Sequence, residues 1–208
     1  MTENIKWLFF DIGSTLVDES AAYARRIRET IAESSISYEQ FYEEMLAFYR
    51  QNKKGDLKAA RKFGLTVAPW HSEEERLYPD AIPCLKALQG RFQMGIIANQ
   101  LLGTAARMEK MGVSPYLEQI ISSAEEGVAK PDPEIFRIAL NRANCQPEQA
   151  VMIGDRLDND IVPAKKLGMR TIWVKQGFGG LSTPRTPEET PDFTVENLSE
   201  LCTLILSQ

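Results

Sequence analysis

The chain has 208 residues, 43% apolar and 25% charged, with 24 Lys and Arg against 29 Asp and Glu for a formal net charge of −5. That apolar content is enough for a sizeable core and excludes wholesale disorder. The acidic balance excludes a nucleic-acid grip driven by net charge, which needs a basic surface.

No apolar run approaches the roughly 20 residues that cross a bilayer. The start, MTENIKWLFF, lacks the apolar stretch and small-residue cleavage site of a signal peptide. Cys84, Cys145 and Cys202 are an odd number at wide spacing with no CxxC, so they read as reduced thiols of a cytoplasmic protein.

The first element is an apolar run, Ile5 to Phe10, ending abruptly in Asp11 and then Gly13. This is the pattern of a buried strand whose C-terminal end presents side chains. From about Ser20 to Leu77, apolar and aromatic residues recur at spacings of three and four with charges between them. That periodicity predicts three or four amphipathic helices, broken at Gly55, Gly64 and Pro69. Phe41, Tyr42, Phe48 and Tyr49 are spaced like their core face.

After Tyr78-Pro79 helices and strands alternate. AIPCLKALQG reads as a helix with Gly90 past its end, FQMGIIAN as a strand, and Gly103 to Met111 as a helix. LEQIISS is a strand, and PDPEIFRIALNRA a helix with Pro131 and Pro133 near its start. QAVMIGD (strand), DIVPAKKLGM (helix) and RTIWVK (strand) follow, and DFTVENLSELCTLIL closes the chain. QGFGGLSTPRTPEETP, rich in Gly, Pro and Thr, reads as a surface loop. Strands separated by helices imply βαβ units and a parallel sheet. The expectation is an α/β, Rossmann-like doubly wound core of residues 1–17 and 78–208, interrupted by a helical insert at 18–77.

In open parallel sheets ligands gather at the carboxyl ends of strands, near a topological switch point. Those ends carry Asp11, Asn99, Ser122-Ser123 and Gly154-Asp155, with Asp158, Asn159 and Asp160 close behind. Like charges a few ångströms apart are costly unless a cation neutralises them. Hard carboxylate oxygens with no His or Cys among them point to Mg²⁺. Lys130 supplies a further positive charge. Asn99 also fits a turn residue, Ser122 and Ser123 fit turn hydroxyls, and Asp158 fits a helix cap or an exposed carboxylate. In the insert, His71 reads as a packed or surface residue. Arg25, Arg26 and Arg28 read as a mostly solvated helix face with room for one Arg turned inward, and Lys53, Lys54 and Lys58 as solvated surface.

Four pieces in order, FFDIGSTL, GIIAN, KPDPEIF and GDRLDNDI, resemble the motifs of the haloacid dehalogenase-like (HAD) hydrolase superfamily across nearly the whole chain. The insert is similar to that family's helical cap, and YPDAIPCLKAL to its return into the core. The resemblance implies a Mg²⁺-dependent phosphatase of a small phosphorylated metabolite, with Asp11 attacking phosphorus to form an aspartyl-phosphate. It implies metal ligation by Asp11, the backbone carbonyl of Gly13 and Asp155. It further implies that Lys130 neutralises the phosphoryl group and Asp11, that Asp160 orients Lys130 or a metal-bound water, and that Thr15 and Asn99 hydrogen-bond the nucleophile and the phosphate. A covalent intermediate divides one hard displacement into two easier steps.

Two positions depart from the pattern. The family's phosphatases usually carry an acid–base Asp where this chain has Gly13, and general acid–base catalysis is worth roughly 10²–10⁴-fold. The second motif has Ala98 where a phosphate-binding hydroxyl is usual, a loss on the order of 1.5–3 kcal/mol. The resulting expectation is a slow phosphatase, one with an unusual substrate or one rescued by another group, active on good leaving groups such as aryl or acyl phosphates. The alternatives are a non-catalytic or regulatory binding protein on the same fold, or a dehalogenase- or phosphonatase-type C–X hydrolase. The expected partner is a small-molecule phosphate, with no nucleic acid and no membrane, in a monomer or weak homodimer.

Overall fold

The computed structural model describes residues 4–207; the first residues of the MTENIKWLFF segment and Gln208 lie outside them. In chain order the elements begin with β1 (Trp7–Phe10), β2 (Val17–Asp18), α1 (Ser20–Ile31), α2 (Tyr38–Tyr49), α3 (Gly55–Lys62) and β3 (Arg76–Leu77). There follow α4 (Ala81–Leu88), β4 (Gln93–Ala98), α5 (Thr104–Lys110), β5 (Gln119–Ser122), the single turn α6 (Ser123–Glu126) and α7 (Pro133–Arg142). The chain closes with β6 (Ala150–Gly154), α8 (Val162–Lys166), β7 (Arg170–Val174), β8 (Phe193–Val195) and α9 (Leu198–Leu206).

Six strands form one sheet in the order β5-β4-β1-β6-β7-β8, every pair parallel. This is the expected α/β doubly wound core, with one strand more than the alternation predicted: the opening of DFTVENLSELCTLIL pairs with β7 as β8. The chain runs from β1 outward to β4 and β5, then crosses to β6 on the other side of β1. The switch point therefore lies at the carboxyl ends of β1, β4 and β6, where a ligand crevice opens.

Alternating residues of β1 serve the two faces. Leu8 and Phe10 pack with α4, α5 and α9, whereas Trp7 and Phe9 pack with α7 and α8. Phe9 and Phe10 are both fully enclosed, so truncating either to Ala costs about 3–5 kcal/mol. The insert has its own apolar cluster of Tyr23, Ile27, Phe41, Met45, Tyr49, Ala59 and Ala60. Ser37 and Gln40 start α2 with a reciprocal capping box. Gly55, read from sequence as a break, instead begins α3; any Cβ there would strike Met45 O and the Tyr49 ring, so glycine lets the two helices approach. Antiparallel β2 and β3 join the ends of the insert, a pairing too short to show periodicity. No helix among the described residues is long and apolar enough to cross a membrane.

Candidate active site

Asp11 follows β1 directly and its amide still donates to Ile153 O at 2.9 Å, so the sheet's own ladder fixes where its carboxylate stands. Lys130 arrives from the segment before α7. Asn99, just past β4, clamps that segment: its Oδ1 accepts from Lys130 N at 2.7 Å and its Nδ2 donates to Lys130 O at 2.8 Å. The Lys130 ammonium then donates to Asp11 Oδ1 at 2.8 Å and to Asp160 Oδ1 at 2.6 Å.

Asp160 reaches this point from a wide π-helical turn, Leu157–Ile161, of a kind that recurs at functional sites. Its other oxygen accepts from Arg156 N at 3.0 Å. The sequence reading placed an ordinary helix from Asp160 onward; the wider turn is what aims this carboxylate back at Lys130. Asp158, on the same turn, pairs with Arg156 at 2.6 Å and takes no part in the cluster.

Asp155 stands beside them. Carboxylate oxygens of Asp11, Asp155 and Asp160 lie within 4.8 Å of one another, and among the described residues no hydrogen-bond donor meets the Asp155 carboxylate, although it is 4% exposed. Burial, then Asp160 and Asp11, push its carboxyl well above the usual range. Burial likewise raises Asp160 against the pull of Lys130. Burial alone would lower the Lys130 ammonium, but Asp11 and Asp160 outweigh it and raise it. Two of the three carboxylates bond the one ammonium and the third has no partner, a formal excess of two negative charges in a nearly dry place. An orphaned buried carboxylate in an all-oxygen donor set fits a hard divalent cation such as Mg²⁺.

The cluster lines a cavity of about 80 Å³ that Gly13, Glu19, Tyr23, Tyr49, Lys54 and Phe178 also border. A neighbouring pocket of about 300 Å³ shares Glu19, Tyr23, Lys54 and Asn99 and adds Arg26, Trp70 and Ser123. Several of these were not legible as site residues. Lys54 was read as solvated surface, yet it borders both spaces. The segment Gly177 to Gly179 was read as surface loop. Instead Phe178 stacks on Tyr49, and a Cβ on Gly179 would strike Asp155. Loop composition conceals such packing; the Gly-Phe-Gly-Gly run was its one signal.

Glu19 is the acidic residue the motifs did not single out. Burial pushes its carboxyl up to about 8, with Asp11 and Glu75 adding to the rise and Lys54 opposing it.

Thr15 is fully buried and does not border the cavity, and its Oγ1 has no partner among the described residues. Ser122 Oγ is similarly buried and unpartnered, while Ser123 Oγ binds Gln100. Arg26 is the inward Arg, 2.7 Å from Asp56. Arg25 and His71 form a surface network with Glu29 and Glu73, away from the cavity.

The switch-point crevice of this doubly wound fold thus holds a buried lysine and an acidic trio, Asp11, Asp155 and Asp160. Residues 5–168 match the model of the haloacid dehalogenase-like hydrolase family, and the chain belongs to that family. It is 30% identical to the glyceraldehyde 3-phosphate phosphatase of Methanopyrus kandleri, covering 97% of each chain. It is 32% identical to the enzyme of the same name from Pyrococcus furiosus, over 83% of this chain and 82% of that one. In structure it resembles the putative HAD-hydrolase YfnB of Bacillus subtilis, solved bound to magnesium, with a TM-score of 0.72, 23% identity and coverage of 98% and 99%. The chain is thus an enzyme of the hydrolase class.

Proposed function

We propose that this hydrolase is a Mg²⁺-dependent phosphatase of a small phosphorylated metabolite, working through an aspartyl-phosphate on Asp11. The observation that carries this reading is Lys130 Nζ, held 2.8 Å from Asp11 and 2.6 Å from Asp160 beside the unpartnered Asp155 carboxylate. Phosphatase names among relatives at 30% identity or more support it.

Asp11, the backbone carbonyl of Gly13 and Asp155 would hold Mg²⁺, which when bound screens anion from anion and stabilises charge on the transferring phosphoryl oxygens. Asp11 attacks phosphorus, and Lys130 offsets charge on both reacting anions. Asp160 positions Lys130, and Asn99 fixes the backbone that carries it. The cavity beside Asp11 receives the phosphoryl group, and the larger pocket with Arg26 and Lys54 receives the rest of the substrate. Residues 18–77 act as a cap over the core, excluding water during the reaction. Metal-independent attack on carbon, as in dehalogenation, would leave Asp155 without a task.

The test is phosphate release from a panel of esters with and without Mg²⁺, glyceraldehyde 3-phosphate and aryl phosphates included, together with acid quenching and peptide mapping. The expected result is Mg²⁺-dependent release with a phosphoryl group trapped on Asp11. No release from any ester under either condition overturns the reading.

A further inference from the structure

Breaking a phosphate ester of an alcohol leaves an alkoxide, a strong base that needs a proton as it departs. The groups bordering the cavity can be taken in turn. Asp11 is the attacking group, Lys130 is bound between Asp11 and Asp160, and Asp155 faces the proposed metal position. The hydroxyls of Tyr23 and Tyr49 are 2.9 Å apart and bond each other. Glu19 remains.

Its backbone position is the N-cap of α1, yet its side chain makes no capping bond to that helix. The side chain turns the other way, into the cavity, and takes a 3.2 Å hydrogen bond from Ser14 Oγ. Ser14 lies in the turn directly after Gly13, with φ of +55°. No ion pair holds Glu19 among the described residues.

Gly13 supplies the second observation. A Cβ built there would stand 2.7 Å from Glu19 Cδ and 2.8 Å from Oε2, with Oε1 closer still. The Glu19 carboxyl thus fills the space that a side chain two residues beyond Asp11 would take. A bare Gly13 and a carboxyl delivered from position 19 are complementary halves of one arrangement.

We propose that Glu19 is the general acid and base of this hydrolase, a catalytic residue serving from the start of α1; the proposal rests on the phosphatase reading above. In the first step the Asp11 Oδ–P bond forms and the bond from phosphorus to the ester oxygen breaks, while protonated Glu19 gives its proton to that leaving oxygen. In the second step water attacks phosphorus, its proton goes to the Glu19 carboxylate, and the P–O bond to Asp11 breaks to free phosphate. Asp11 and protonated Glu19 are both restored.

Gly13→Asp by itself introduces a second carboxyl into occupied space and impairs turnover. Paired with Glu19→Ala it has room.

The test uses the whole chain with Mg²⁺ and two esters, 4-nitrophenyl phosphate, whose leaving group is a weak base, and phenyl phosphate, whose leaving group is a stronger one. Glu19→Gln should lower steady-state turnover of phenyl phosphate by about 10²–10⁴-fold. With 4-nitrophenyl phosphate it should release one nitrophenolate per site in a fast burst, then slow as the aspartyl-phosphate accumulates. Glu19→Ala/Gly13→Asp should recover at least tenfold over Glu19→Ala. Glu19→Gln turning over both esters within about threefold of wild type overturns the proposal while leaving the phosphatase reading intact. Equal loss on both esters, with no burst and no recovery in the double variant, marks Glu19 as merely structural and also overturns it. A wild-type chain inert on every ester overturns both readings.

Discussion

Lys130 sits between Asp11 and Asp160 with its side chain 2% exposed and that of Asp160 fully enclosed. Arg25, Glu29 and Glu73 meet around His71 at the surface of the helical insert, their side chains 39%, 39% and 61% exposed. Both clusters are short-range ion networks, and distance alone does not tell them apart. Burial does. In the first, water cannot replace a missing partner, so each charge depends on the others; in the second, water replaces any member at little cost. Both clusters hold more carboxylates than cations, since Arg25 also meets Glu74 at 3.2 Å; water screens the excess at the surface, whereas in the buried cluster only a cation or a proton can offset it. The lesson is that an excess of charge matters where it is buried, and burial is what separates the two networks.

The sharpest way to break this comparison is at Asp11. Asp11→Asn preserves shape and removes the attacking carboxylate, so steady-state phosphate release should fall by roughly 10⁴–10⁶-fold, measured beside the wild type at saturating ester and Mg²⁺. A variant retaining a tenth of the activity would show that the cluster is not the reacting centre.

The next effect is on stability. Lys130→Met leaves Asp11 and Asp160 facing each other without the ammonium, and breaking a buried pair in this way costs about 3–5 kcal/mol. Because protonation can relieve the repulsion, the deficit should grow as pH rises from acid to alkaline, and denaturant titrations at both ends of that range would read it. A deficit that is small and flat with pH would mean that the cluster is solvated like the surface one.

Much of this was legible in the chain because it follows from periodicity. The apolar run at Trp7 to Phe10 and the runs around Ile96 and Ile153 announce buried strands, and strand ends announce where Asp11, Asn99 and Asp155 must meet. Lys130 and Asp160 could be joined to them by motif order. Glu19 could not. Within Asp18-Glu19-Ser20 it has the look of a solvated helix start, and only the left-handed turn at Ser14 brings it back to Gly13. The clue was indirect: Glu is a poor N-cap residue, and Gly13 is bare where a side chain is usual. The placement of Thr15 away from the cavity was hidden for the opposite reason, since spacing along the chain does not say which side of a turn faces the cavity. Lys54 and Phe178 depend on packing between the insert and the loop after β7, which no local pattern encodes.

Glu19 itself offers a subtler test. Its folded carboxyl is raised from an ordinary 4.5 to about 8, chiefly by burial. A raised carboxyl favours the neutral form, so its contribution to stability is complete below pH 4.5 and is lost as pH climbs through about 8. Glu19→Gln mimics the neutral form at every pH. In metal-free protein the melting temperature of the variant should therefore overtake that of the wild type progressively between those values, by several degrees at roughly 2–4 °C per kcal/mol. A constant difference across the range would show that Glu19 titrates as a solvated acid.

The smallest effect belongs to the surface network, at His71. Its ring nitrogens lie 2.6 Å from Glu29 and 3.1 Å from Glu73, and those carboxylates raise its protonation above the ordinary imidazole value, Glu29 most of all. A raised imidazole contributes its stability fully below about pH 6.5 and loses it as pH rises through the raised value. His71→Ala should accordingly shift the melting temperature by no more than about 2 °C, and only on the acid side, because exposed pairs are worth little. Turnover should be unchanged, since His71 borders neither the cavity at Asp11 nor its neighbour. Added salt should shrink even the acid-side shift, as it screens exposed charges and leaves the Lys130 cluster almost untouched. A His71→Ala chain with impaired phosphate release would place the surface network in the reaction and dissolve the distinction between the two clusters.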